Sequence, residues 1–131
     1  MTTTYLCGPI NGCTDEEASD WRELAKRLLR GKTIDPMRRD YRGLEGEPNM
    51  AKEIVELDKI DVTNSDVVLV SYTKPSVGTS MEVLYAWERG KLVVIVSKYN
   101  DWLNLSPWLM YHSHRQFFTY RDACDFINGL S

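Results

Sequence analysis

Two short runs constrain the fold more than anything else in this chain: Asp66-Val67-Val68-Leu69-Val70-Ser71 and Leu92-Val93-Val94-Ile95-Val96. Both are nearly uniform in apolar, mostly β-branched residues. A strand with one wet face alternates apolar and polar residues, whereas a strand without alternation is covered on both faces. Such sheets are parallel, and each parallel connection needs a crossover, usually a helix. The crossovers are legible. Thr14 caps a helix start and Glu17 completes a capping box, after which Trp21, Leu24, Leu28 and Leu29 recur at helical spacing until Gly31. Met50 to Val62 reads as a helix with Ile54, Leu57 and Val62 inward, and Val77 to Arg89 as another, ended by Gly90. Thr3 to Cys7 and Thr33 to Asp35 read as short strands. A loop carrying Trp102, Pro107 and Trp108 leads to a last strand at Phe117 to Thr119 and a helix from Tyr120 to Leu130. The order predicts one α/β domain over residues 1–131, with five parallel strands between two helical layers.

The balance of charge then narrows the function. A formal net charge of −3 and a pI near 5.4 exclude a general nucleic-acid binder, which carries a basic excess. An anionic ligand has to be held locally, by backbone amides and a few placed side chains. Three cysteines, Cys7, Cys13 and Cys124, are an odd number at no metal-ligand spacing. With no secretory leader at the N-terminus, they predict reduced thiols in a cytoplasmic protein. No apolar run approaches the ~20 residues of a membrane span. His112-Ser113-His114 lacks a third ligand, so no metal or cofactor is expected.

In open parallel sheets, ligands bind at the carboxyl ends of the strands, near the switch in strand order. That selects three loops: Gly8 to Thr14, Asp35 to Gly46, and Ser71 to Ser80. In the third, Ser76, Thr79 and Ser80 can donate hydrogen bonds, and free amides at a helix start favour an anion. Glu82 is expected within about the first turn, where the dipole keeps a carboxylate ionised. Read locally, it is a nucleophile or simply a glutamate well placed in a capped helix. Asp58 is either a second catalytic acid or one charge on a solvated face with Glu53, Glu56, Lys59 and Asp61. Gly8 and Gly12 permit close backbone approach, without the spacing of a dinucleotide fingerprint. Arg38-Arg39-Asp40-Tyr41-Arg42 offers arginine for phosphate or base and tyrosine for stacking, or is a solvated loop.

Taken together, Tyr5-Leu6-Cys7-Gly8-Pro9-Ile10, the Asp58 helix, Ser65 to Val70 and Gly78-Thr79-Ser80-Met81-Glu82-Val83-Leu84-Tyr85-Ala86 resemble the nucleoside 2-deoxyribosyltransferase family over nearly the whole chain. The 24-residue separation of Asp58 and Glu82 fits that pattern. The resemblance implies a flavodoxin-like (Rossmann-like) α/β fold and a retaining double displacement. Glu82 attacks the anomeric carbon, Asp58 serves the leaving base, and Tyr5 orients Glu82. True transferases of the family carry an acid six positions before the nucleophile; here that position is Ser76. A hydroxyl suits a 5′-phosphate where a carboxylate repels it. The resemblance is therefore to the branch hydrolysing nucleoside 5′-monophosphates. The loop from Pro9 to Gly12 would then close over the phosphate, with Gly8, Pro9, Ile10 and Asn11 against the substrate, Ser76, Gly78 and Ser80 cradling the phosphate and Arg38 near the base. Pro9 and Asn11 replace a serine and an arginine of the deoxynucleotide hydrolases, and Trp108 stands where a smaller apolar residue is usual. Ser106 occupies the place from which the family donates a residue to a neighbouring subunit, which implies a homodimer or higher even oligomer with a shared site. Base exchange between deoxynucleosides, and a non-catalytic nucleotide sensor, are the alternative readings.

Overall fold

The computed structural model describes residues 1–39, 41, 43–44, 46–98 and 105–130. Its elements run β1 (Thr4–Cys7), α1 (Asp15–Leu28), β2 (Thr33–Ile34), a 3-10 turn (Pro36–Arg38), α2 (Met50–Thr63), β3 (Val67–Ser71), α3 (Val77–Glu88), β4 (Leu92–Val96), α4 (Pro107–Tyr111), β5 (Arg115–Phe117) and α5 (Tyr120–Asn128). All described strand pairs are parallel, in the order β2-β1-β3-β4-β5. This is the flavodoxin-like order, with its switch point between β1 and β3.

The unalternating runs behave as parallel-sheet strands do. Val68, Val70, Val93 and Ile95 point to one face with Tyr5, Cys7, Val62, Val83 and Ala86. Leu6, Val67, Leu69, Val94 and Val96 point to the other, against Trp21, Ala25, Ala123, Cys124 and Ile127. The sheet is thus sandwiched between α2 and α3 on one side and α1 and α5 on the other. Thr14 accepts from the Glu17 N–H at 3.1 Å and Glu17 returns a bond to Thr14 N–H at 3.0 Å, the predicted capping box. Among the described residues, no helix is long and apolar enough to cross a membrane. The three cysteines are free thiols, with Cys7 and Cys124 buried.

Two elements depart from the sequence reading. The last strand lies at Arg115–Phe117, earlier than Phe117 to Thr119. Among the described residues it pairs with β4 alone, so its polar residues sit at an edge, and Thr119 is spent capping α5 through the Asp122 N–H. The segment before it holds a short helix, α4. Its signal was present: Ser106 accepts from the Trp108 N–H and Pro107 fills the first helical position, where a missing N–H costs nothing. Trp102, Asp40 and Arg42 lie outside the described residues.

Candidate active site

The three loops singled out by the sheet rule do converge. A cavity of about 250 Å³ opens at the carboxyl ends of β1 and β3. Tyr5, Gly8, Ile10 and Asn11 form its β1 wall. Pro36, Met37, Arg39 and Tyr41 come from the segment after β2, Ile54 and Asp58 from α2, and Ser76, Gly78, Thr79 and Glu82 from α3. Gly8 is needed for close packing: a Cβ there would sit 2.9 Å from the Trp21 ring and 3.2 Å from the Ser71 carbonyl oxygen. At the rim, Lys74 donates to the Gly12 carbonyl at 3.0 Å and lies 3.6 Å from Glu17, tying the third loop to the first.

At the cavity floor, the buried Tyr5 hydroxyl donates to Glu82 Oε2. The two come from adjacent parts of the sheet layer, β1 and the helix that follows β3. Glu82 is not in the first turn of α3, which begins after the Ser76 cap and has no acidic residue there. It lies in the second turn, beyond most of the dipole's reach. Burial dominates instead. It pushes the Glu82 carboxyl up to about 8, helped by the negative charges of Asp58 and Asp61 and opposed by the Tyr5 hydrogen bond and the charge of Arg22. The expectation of a dipole-ionised carboxylate is thus corrected. Near neutral pH, burial favours the protonated form of Glu82.

Asp58 sits across the cavity under different control. Burial raises its carboxyl above the ordinary range, and Arg39 opposes this. Arg39 Nη2 lies 3.4 Å from Asp58 Oδ1 and 2.6 Å from Asp61 Oδ2. Asp61 is buried and accepts both Arg39 and a two-pronged bond from Arg38, at 2.7 and 3.0 Å. Burial works against its ionisation, yet the two arginines hold its carboxyl below the usual value. Asp61 is therefore the fixed anion that anchors Arg39, and Arg39 in turn braces Asp58. Two carboxyl groups with separate partners facing one cavity is the arrangement that glycosyl transfer requires.

A family model described as nucleoside 2-deoxyribosyltransferase matches residues 4–120 of this 131-residue chain. The chain belongs to the nucleoside 2-deoxyribosyltransferase family. Solved structures share its fold at low identity. A 2-deoxyribosyltransferase from Bacillus psychrosaccharolyticus superposes with a TM-score of 0.73 at 15% identity, covering 98% of this chain and 92% of that one. A 2-desoxiribosyltransferase from Leishmania mexicana gives 0.68 at 15% identity, covering 99% of each. The CMP N-glycosidase of Clostridium botulinum gives 0.60 at 16% identity, covering 96% and 97%. No protein of curated function matches the chain by sequence. Family membership makes the chain an enzyme acting on N-glycosidic bonds.

Several predicted site residues of this deoxyribosyltransferase relative lie off the cavity. Arg38 turns to Asp61, and the neighbouring Arg39 takes the place on the wall. The sequence does not separate the two; the 3-10 turn ending at Arg38 does. Pro9 is buried in the loop behind Gly8 and does not line the cavity. Ser80 faces away, its hydroxyl donating to the Ser76 carbonyl at 2.8 Å. It borders a second hollow with Met81, Ser106 and Trp108 on the far flank of α3. Ser106 and Trp108 therefore do not reach Glu82 of their own chain. Met37 and Ile54 are wall residues that sequence reasoning did not assign to the site, whereas Thr79 and Tyr41 were named there as a donor and a stacking group. His112 and His114 use their Nδ1 atoms against the main chain at Trp108 and Val93. Among the described residues, no group of three His, Cys, Asp or Glu is placed to hold a metal.

Proposed function

We propose that this enzyme hydrolyses the N-glycosidic bond of a nucleoside 5′-monophosphate through a covalent glycosyl–Glu82 ester, with net retention, releasing free base and sugar 5-phosphate. The observation that carries the reading is the pairing of Tyr5-fixed Glu82 with Arg39-braced Asp58 across one cavity. With Oε2 held by Tyr5, Oε1 is the oxygen offered to the anomeric carbon. Asp58 gives a proton to the leaving base, which departs poorly as an anion. A water then opens the ester, with Asp58 acting as base. The planar base lies between Met37, Tyr41 and Ile54.

The phosphate end is supported by the start of α3. Ser76 Oγ accepts from the Thr79 N–H, which leaves the amides of Val77 and Gly78 for a ligand at a helix N-terminus. A Cβ at Gly78 would meet no protein atom within 4 Å. Gly78→Ala is therefore expected to fold with a slightly raised Tm, since alanine favours a helix by about 0.5–1 kcal/mol over glycine. Its added methyl nevertheless occupies the cradle. Steady-state kinetics should show KM for a monophosphate rising about tenfold, with a smaller change for the matching nucleoside.

The decisive assay scores free base from ribo- and deoxynucleoside monophosphates and from the nucleosides. Release from monophosphates into water supports the proposal. The family's name-giving activity favours a second reading, base exchange between deoxynucleosides; formation of a new nucleoside from an added free base, with no net release of sugar, would establish it instead. We further place the enzyme as a homodimer, with Ser106 entering the neighbouring site. Val77, Met81, Trp108 and Tyr111 are 68–79% exposed around α3 and α4 and give that contact its apolar surface. Light scattering of the purified chain reads the mass directly, and a strict monomer that turns over at full rate would remove this part.

A further inference from the structure

Arg22, on α1, has the largest side chain among those fully buried in the described residues, and it carries a charge. Burying an ion costs several kcal/mol unless its donors are satisfied and its charge is matched. Its donors are satisfied, mostly by neutral acceptors. Nε donates to the Leu6 carbonyl at 3.3 Å, Nη1 to Ala18 at 2.5 Å and Nη2 to Gly8 at 3.0 Å. Its ion-pair partner, Asp35, stands 3.7 Å away and already serves Lys26 at 2.6 Å and the Met37 N–H at 2.8 Å. A core brace needs no charge, and here the charge is only loosely matched at close range. It sits where β1 turns into the cavity wall, behind the strand whose front face carries Tyr5.

We propose that Arg22 is a positioning residue for this site: it fastens the Leu6 and Gly8 carbonyls that shape the β1 wall, and its buried positive charge allows Glu82 to exist as an anion. The inference rests on Glu82 being the nucleophile. The groups around Glu82 leave that task to few candidates. β1 contributes Tyr5 and Cys7, both kept neutral by burial. α2 contributes Asp58 and Asp61, whose charges oppose ionisation, and the 3-10 segment contributes Arg38 and Arg39, which pair with those two acids. Among the described residues, Arg22 is a cation whose charge acts on Glu82 in the favourable direction, against burial and the charge of Asp58. Because the site is otherwise acidic and apolar, one loosely paired charge behind it is worth more than the same charge at a wet surface.

The test compares Arg22→Met, Arg22→Lys and Asp35→Asn with the wild type, reading kcat/KM against pH and the Glu82 carboxyl titration by carbon NMR. Arg22→Met matches the length and removes the charge; its Glu82 midpoint is expected to move alkaline by about one unit. Asp35→Asn removes the opposing charge, and the midpoint is expected to move the other way by less. Arg22→Lys keeps the midpoint near the wild type but loses the planar fork, so KM rises. A merely structural role predicts lost stability in all three with an unmoved midpoint. An unmoved midpoint in folded Arg22→Met overturns the proposal. If that variant does not fold, Asp35→Asn decides: an acid shift supports the proposal, and no shift or an alkaline one overturns it. Absence of base release by the wild type removes the nucleophile reading, whereas the NMR titration still judges Arg22 separately.

Discussion

Glu82→Gln is expected to reduce base release by at least about 10³-fold while leaving the fold intact. Gln matches the carboxylate in shape and can still meet the Tyr5 hydroxyl, so the loss isolates nucleophilicity. Substrate binding, measured by calorimetry with a nucleoside monophosphate, should stay within a fewfold of wild type. A variant with more than a tenth of wild-type turnover would eliminate the covalent role. Stability should move in the opposite sense to activity. The folded carboxyl holds its proton up to about 8, against 4.5 for an unperturbed glutamate. Between those values the unfolded chain binds fewer protons than the folded one, so wild-type stability falls as pH rises. Gln does not titrate. The Tm of Glu82→Gln should therefore exceed the wild type's at pH 7 to 8 and converge with it below about pH 4, where both states carry the proton.

Asp58→Asn should be the second most damaging change, with kcat lowered by about 10²- to 10⁴-fold, the range attributable to one general acid. The loss should depend on the base. Bases that leave well without a proton should be the least affected, and natural bases the most, so a plot of rate against leaving-group acidity should steepen in the variant. The fold should survive, because Arg39 keeps its 2.6 Å pair with Asp61 after losing Asp58. Equal rate losses for good and poor leaving groups would remove Asp58 as the proton donor and leave it a binding role.

The wild type's pH profile has a corollary in the proton's location. Burial favours the proton on Glu82, whereas the proposed chemistry needs Glu82 bare and the proton near the base. The productive form is thus a minor one that substrate binding has to select, at a cost of about 1.4 kcal/mol for each tenfold of population.

The layer architecture was legible because Val67 to Val70 and Val93 to Val96 leave no alternative to a doubly covered parallel sheet. The pairing of Tyr5, Asp58 and Glu82 was legible only as a whole-chain pattern, since each residue alone has an ordinary explanation. What stayed hidden depended on counting by one or on long-range packing. The start of α3 at Val77 was read correctly, but Glu82 is the sixth residue from it and so lies in the second turn, not the first. Arg39 rather than Arg38 faces the cavity because of a three-residue 3-10 turn. Arg22 carried a faint signal: with Ala18, Ala25 and Leu29 it lies on the buried stripe of α1, where a charge is out of place. Edge strand β5 was misplaced because edges tolerate the polar residues that interior strands exclude.

The strand order also bears on how the enzyme is made. β1 is synthesised before its neighbour β3, which follows about sixty residues later, and the Tyr5–Glu82 contact closes a gap of 77 residues. The segment carrying β1 must therefore wait, unpaired on one side, until β3 has been synthesised. Catalytic competence then arrives in one step with the closing of the central sheet, so recovered turnover during refolding would time that closure without any added label.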